Sequence, residues 1–196
     1  MIPPAGGGPP LPPRAPGPLR HVALVSGFQA HKGAQVFAET VRLLAGEGLR
    51  WTVYGGVDPR MAGMLRGLPG VRVRGSFAGP RLPSLLRRDA VDLALLPSIV
   101  PESYSLALGE CVRAGVPVLA FALGALADRV PQLDAGRLVS LEAGAAGLAA
   151  AIRDMLRDGR APSVPAESAS RIDSPAAIAA AHRRLHAELG LLRERV

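Results

Sequence analysis

The sequence is poor in several residue types that define whole classes of protein. It has one cysteine, Cys111, so neither a disulfide framework nor a cysteine zinc site can form within the chain. Aromatic residues make up 4% of it, too few for the stacking platforms on which single-stranded nucleic acid lies. No stretch approaches the roughly 20 uninterrupted apolar residues of a membrane span, which excludes an integral membrane segment. The first residues, Met-Ile-Pro-Pro-Ala-Gly-Gly-Gly, have neither the basic start nor the apolar core of a signal peptide. The expected location is therefore cytoplasmic, with peripheral association at the inner membrane face as the variant. Lysine is almost absent. Of 23 basic residues, Lys32 alone is lysine and the rest are arginine.

What is present fits one globular domain. The chain has 196 residues, 48% of them hydrophobic, and a mean hydropathy of +0.23. Wholesale disorder is excluded, and the length suffices for a real core. The net charge of +7 and pI near 11.1 invite a nucleic-acid partner. The arginines, however, are scattered from Arg14 to Arg195 with no run longer than a pair. No basic stripe results, and no nucleic-acid partner is expected.

Residues 1–20 are Pro/Gly-rich and read as a linker, which predicts that something precedes them. From residue 21 to 158 apolar strand-like runs alternate with helical spacings. Strands are expected over 21–25, 49–54, 71–74, 91–96 and 117–121, with Val139 marking a sixth. Helices are expected over 33–45, 59–68, 80–88, 105–114 and 145–157. This alternation predicts an α/β domain: a Rossmann-like parallel sheet with helices on both faces. Residues 159–173 read as a second linker. Residues 174–196 carry an amphipathic C-terminal helix with Ser174 as N-cap and Pro175 at its first position.

Ligands of open parallel sheets bind at the carboxyl ends of the strands, where three loops stand out. Ser26-Gly27-Phe28-Gln29-Ala30-His31-Lys32-Gly33 is neither GxGxxG nor a Walker loop. Its lysine at a helix start either is an ordinary surface residue or favours an anion such as a diphosphate. Pro97 to Glu110 carries two carboxylates, Glu102 and Glu110, flanking a helix start with Ser105 as candidate N-cap. Carboxylates suit sugar diols and free backbone N–H groups suit phosphate, although both acids also read as ordinary helix residues. Gly75-Ser76-Phe77-Ala78-Gly79-Pro80 leaves backbone polar groups open and is either a base-reading turn or a plain connection. Asp89 and Asp92 read as solvent-facing strand ends, His182 and His186 as a surface pair, and Cys111 as core. No Asp-x-Asp motif occurs.

These segments, in this order, resemble the C-terminal donor-binding domain of glycosyltransferase family 4, the retaining group 1 enzymes of the GT-B fold. The resemblance covers about Arg20 to Arg157. Its strongest part is Leu96-Pro97-Ser98, then Pro101-Glu102-Ser103-Tyr104-Ser105-Leu106, then Glu110 to Val118, similar to PS…PE-x-F-G-x-x-x-x-E-A-x-x-x-G-x-P-V. Lys32-Gly33 resembles the family's KG motif, and Gly124-Ala125 its GG/GA turn. The resemblance implies a C-terminal half of a GT-B fold that transfers a hexosyl group from a nucleoside diphosphate sugar to a glycan or lipid-linked acceptor.

It also implies roles. Lys32 would neutralise the diphosphate and Glu102 would contact the sugar, as catalytic residues. Gly27, Gly33, Ser103, Tyr104, Ser105 and Leu106 would line the donor site. Glu110 would bind the ribose, and Ser76 and Phe77 would lie near the base. No cofactor and no metal are expected, with Lys32 and helix N-termini acting at the leaving diphosphate. An N-terminal GT-B domain would be a partner, against which the terminal helix would pack. Two departures stand out: Gly27 occupies the place of the family's usual arginine, and Tyr104-Ser105 that of its F-G. The competing readings are a non-catalytic sugar-nucleotide-binding module or truncated fragment needing a separate acceptor domain, and a nucleotide-binding domain of different chemistry such as an epimerase relative.

Overall fold

The computed structural model describes residues 17–77 and 81–172. Among them six strands form one all-parallel sheet: β1 (His21–Val25), β2 (Arg50–Tyr54), β3 (Val71–Gly75), β4 (Leu93–Leu96), β5 (Val118–Phe121) and β6 (Gly136–Val139), in the order β3-β2-β1-β4-β5-β6. Six helices connect and cover them: α1 (Ala34–Leu43), α2 (Ala62–Leu65), α3 (Leu82–Arg88), α4 (Leu106–Arg113), α5 (Ala125–Gln132) and α6 (Gly144–Arg157). None is long and apolar enough to cross a membrane.

The side-chain period of two divides each central strand between two cores. Val22 and Leu24 of β1, with Leu93 and Leu95 of β4, face α1 and α6 and pack on Phe37, Val41, Leu148 and Ile152. Ala23 and Val25, with Ala94 and Leu96, face the other way onto Leu86, Leu108, Cys111 and Leu126 of α3, α4 and α5. Both faces are covered, which is why these strands are apolar throughout. Cys111 lies in the second core, its thiol pushed up by burial. The strand order reverses between β1 and β4, so the loops leaving these two neighbours diverge and open a crevice between them.

The expected α/β class and parallel sheet are present, with local differences. The helix expected over 59–68 shrinks to Ala62–Leu65, because Gly67 turns left-handed at φ +83° and Pro59 and Pro69 bracket the segment. Helix α5 was not anticipated; Pro131 near its end disguises it, yet Leu126 and Val130 are buried. Strand β4 starts at Leu93 rather than 91, since Ala90 is left-handed at φ +52°. The acids before it are not free strand ends: Asp92 is buried and Asp89 is paired. Asp92 accepts hydrogen bonds from the Arg20 and His21 N–H groups, both at 2.9 Å. Asp89 accepts one from the Tyr54 hydroxyl at 2.7 Å.

The expected linkers also differ. Residues 17–20 belong to the domain: Leu19 is buried, and the Gly17 carbonyl accepts from the Ala161 N–H at 3.0 Å. Of the linker expected over 159–173, the part up to Ile172 packs on the domain. Val164 and Ile172 enter the second core, and Ala166–Arg171 form a 3-10 turn. Pro, Ser and Ala suggest a spacer by composition, but Val164 and Ile172, with the buried Ala161, pin it. Residues 1–16 of the first expected linker and the expected helix over 174–196 lie outside the described residues.

Candidate functional site

A cavity of about 830 Å³ opens at the carboxyl ends of β1 and β4, where the strand order reverses. Its walls are the loop after β1, through Ser26, Gly27 and Lys32, and the loop after β4, from Ser98 to Ala107. Of the residues singled out in the sequence, Gly27, Lys32, Glu102, Ser103, Tyr104, Ser105 and Leu106 line this cavity.

Lys32 ends a 3-10 turn (Ala30–Lys32), and Gly33 follows at φ +80° as the cap from which α1 starts. Gly33 is buried against the end of β4. A Cβ there would lie 1.9 Å from the Pro97 carbonyl oxygen, so only glycine lets the two loops meet this closely. Two hydrogen bonds fasten the approach: the Ile99 N–H donates to the His31 carbonyl at 3.1 Å, and the Ser98 hydroxyl reaches the same carbonyl at 3.3 Å. Phe28 anchors the first loop beneath, fully buried and edge-on to Phe37.

Across the crevice, Lys32 Nζ donates to Glu102 Oε1 at 2.6 Å. The two side chains retain 30% and 18% of their exposure, so the pair is sheltered yet open to a ligand. An ammonium has three donors; one binds Glu102 and two are left for an anion. Glu102 is held from behind by the turn after β5. The Ala125 N–H donates to its carbonyl at 2.8 Å. Gly124, at φ +53°, lies so close that a Cβ would stand 2.8 Å from both the Glu102 nitrogen and its carbonyl oxygen.

The end of this loop is unusual. Ser105 takes the N-cap position of α4 but is left-handed, φ +60° and ψ +82°, and its hydroxyl does not cap the helix. That conformation costs a non-glycine residue about 1–2 kcal/mol. Ser105 is 7% exposed, and its hydroxyl and that of Tyr104 are buried without a hydrogen-bond partner. Leu106, the first residue of α4, stands 72% exposed at the cavity rim. Sequence reasoning missed Arg129 of α5, whose guanidinium stacks 3.8 Å over the Tyr104 ring. Its Nη1 donates to the Tyr104 carbonyl and, at 3.4 Å, to that of Ser105. The signal was hidden among twenty-one other arginines.

The remaining candidates lie around the cavity. Gly33 supports it from below. Glu110 sits one turn into α4, half-buried and paired with Arg113 at 2.9 Å; burial raises its pKa against the pull of that arginine. Glu110 is not in the cavity wall. Ser76 and Phe77 follow β3. Phe77 stacks edge-on against Tyr54, and Ser76 lies by Gly56, where a Cβ would stand 3.3 Å from its hydroxyl oxygen. The Gly56 carbonyl accepts from the Phe28 N–H at 2.8 Å, so this corner joins the first crevice loop. A Cβ at Gly27 would stand 3.3 Å from the Gln29 side chain and 3.5 Å from the Gly56 carbonyl, so a larger residue there needs the Gln29 side chain to give way.

Fold and crevice together define a Rossmann-like domain with an open cavity at its topological switch point, the place where such sheets take ligands. Residues 20–158 match the family described as glycosyl transferases group 1, and the chain belongs to that family. None of the curated proteins matches the chain in sequence. Among solved structures it is similar to sucrose-phosphate synthase from Thermosynechococcus elongatus, with 25% identity and a TM-score of 0.70 over 87% of this chain and 45% of that one. It is also similar to Anabaena HepE, solved in complex with UDP-glucose, with 19% identity and a TM-score of 0.64 over 88% of this chain and 49% of that one. The C-terminal domain of the Francisella tularensis group 1 glycosyl transferase LpcC is alike at 21% identity and a TM-score of 0.58, over 72% of this chain and 77% of that domain. The chain thus spans about half the length of the first two.

Proposed function

We propose that this chain is the donor-binding half of a retaining glycosyltransferase that moves a hexosyl group from a nucleoside diphosphate sugar to a glycan or lipid-linked acceptor. The observation that carries the proposal is the Lys32–Glu102 pair, 2.6 Å apart, at the mouth of the switch-point crevice. It sets a cation and a diol-binding carboxylate side by side, as a phosphate joined to a sugar requires. Membership of the group 1 family and the UDP-glucose bound to HepE support the donor class.

In this reading the bond between the sugar anomeric carbon and the diphosphate oxygen breaks as one forms from that carbon to an acceptor hydroxyl oxygen, whose proton leaves with the diphosphate. Negative charge builds on the departing diphosphate, and Lys32 and the free N–H groups at the start of α4 stabilise it. No metal is needed for that role. Glu102 accepts hydrogen bonds from sugar hydroxyls and fixes the ring. Ser103 and Tyr104 close the wall beside it, and Gly27 lets the diphosphate approach the first loop. Glu110 serves the ribose once its pairing with Arg113 yields, and Ser76 and Phe77 flank the base. The acceptor site belongs to an N-terminal GT-B domain.

Thermal-shift titration with UDP, GDP, ADP and dTDP sugars tests the reading. At least one series stabilises the protein saturably, since ligand at a hundred times its Kd adds about 2.7 kcal/mol. No shift with any of them overturns it.

A further inference from the structure

Arg129 has no role in the reading above, yet it makes the most specific contact in the crevice wall. Its guanidinium covers the Tyr104 ring and donates to the carbonyls of both Tyr104 and Ser105. A trans peptide sets its N–H opposite its C=O. Two carbonyls drawn toward Arg129 therefore turn the N–H groups of Ser105 and Leu106 the other way. Tyr104, Ser105 and Leu106 line the cavity, and Arg129 does not. The arginine thus lies behind the wall, and the amides it orients face the ligand side. Ser105 adds a second observation: it is left-handed at φ +60° and its buried hydroxyl has no partner. A serine released from Arg129 would relax to the right-handed region and rotate these peptide planes.

We infer that Arg129 is a positioning residue, which holds the Ser105 and Leu106 N–H groups toward the diphosphate of the ligand. The role rests on the donor-binding reading, because it presumes an anion in the crevice. In this chain one guanidinium fork imposes what a glycine at position 105 would adopt freely.

The coupling between the two positions is the test. UDP is titrated calorimetrically into the wild type, Arg129→Met, Ser105→Gly and the double variant, and amide hydrogen exchange is followed over residues 103–109. Arg129→Met weakens UDP binding about tenfold where Ser105 is present, the equilibrium cost of restoring a left-handed serine. In the Ser105→Gly background the same substitution costs about threefold or less, since glycine populates both regions alike. Equal losses in the two backgrounds, or a lowered melting temperature with unchanged UDP affinity, overturn the inference and leave Arg129 a purely structural residue. If the wild type binds no nucleoside diphosphate, the donor-binding reading fails by itself. The exchange data then still decide on Arg129: faster exchange over 103–109 in Arg129→Met, without change in β1, supports the positioning role, and an unchanged profile refutes it.

Discussion

The two loops that frame the crevice reach their shapes by different means. The loop after β1 is built from backbone. Gly33 supplies a left-handed turn, sits against the Pro97 carbonyl with no room for a side chain, and lets α1 begin directly behind Lys32. The loop after β4 adds side-chain ties to its backbone contacts with His31 and Ala125. Ser98 ties it to the His31 and Val100 carbonyls, Arg129 holds its last two carbonyls, and Ser105 carries the strain a glycine would avoid. The first loop is thus nearly incapable of adjustment, and the second is held by contacts that can be released one at a time.

The largest way to break this contrast is Gly33→Ala. A Cβ 1.9 Å from a carbonyl oxygen, at a positive φ, forces the loops apart. The expected loss is about 3 kcal/mol or more, read as a lowered denaturation midpoint at unchanged slope. Gly124→Ala strikes the other loop from behind. It strains the turn by about 1–3 kcal/mol and pushes the Glu102 backbone, so sugar-dependent affinity falls more than stability does; calorimetry with UDP-glucose and UDP checks the difference. Ser105→Gly has the opposite sign. Relief of the left-handed serine raises stability by about 1 kcal/mol, less the entropy glycine adds to the unfolded chain, a melting-temperature rise of a few degrees.

The smallest effect comes from the far end of β1, away from both loops. His21 is buried, and its ring nitrogens contact the Asp89 carbonyl at 3.0 Å and the Thr52 hydroxyl at 2.8 Å. Burial holds its pKa below the usual 6.5, aided by the charge of Arg50 and opposed first by the hydrogen bond with the Asp89 carbonyl and then by the charge of Asp92. The unfolded chain therefore binds a proton that the folded one refuses, and stability present above pH 6.5 drains away as pH falls below it. The melting temperature of the wild type drops more between pH 7 and pH 5 than that of His21→Gln. An equal drop in both contradicts the assignment.

Much of this was legible in the sequence. Central strands covered on both faces must be apolar throughout, and they read so. Lys32 stood out because arginine fills every other basic position, and Glu102 because it opens a long spaced motif. What stayed hidden depends on partners distant along the chain. The contact of Lys32 with Glu102 spans seventy residues. Arg129 looks like any surface arginine until the carbonyls beneath it are known. Asp92 looks exposed until the Arg20 and His21 N–H groups converge on it. Segment 159–172 reads as a spacer because composition cannot weigh the buried side chains of Val164 and Ile172 against many small ones.

The central claim is that Lys32 serves the phosphates and Glu102 the sugar of one ligand in one crevice. Calorimetric titration of UDP and UDP-glucose into the wild type, Lys32→Ala and Glu102→Ala addresses it directly, with UDP and its glucose ester replaced by the base that the thermal-shift panel selects. The account predicts that Lys32→Ala loses both ligands, while Glu102→Ala keeps the bare nucleotide and loses the added affinity for its sugar. Affinities for both ligands that are unchanged from wild type in the two variants would contradict it.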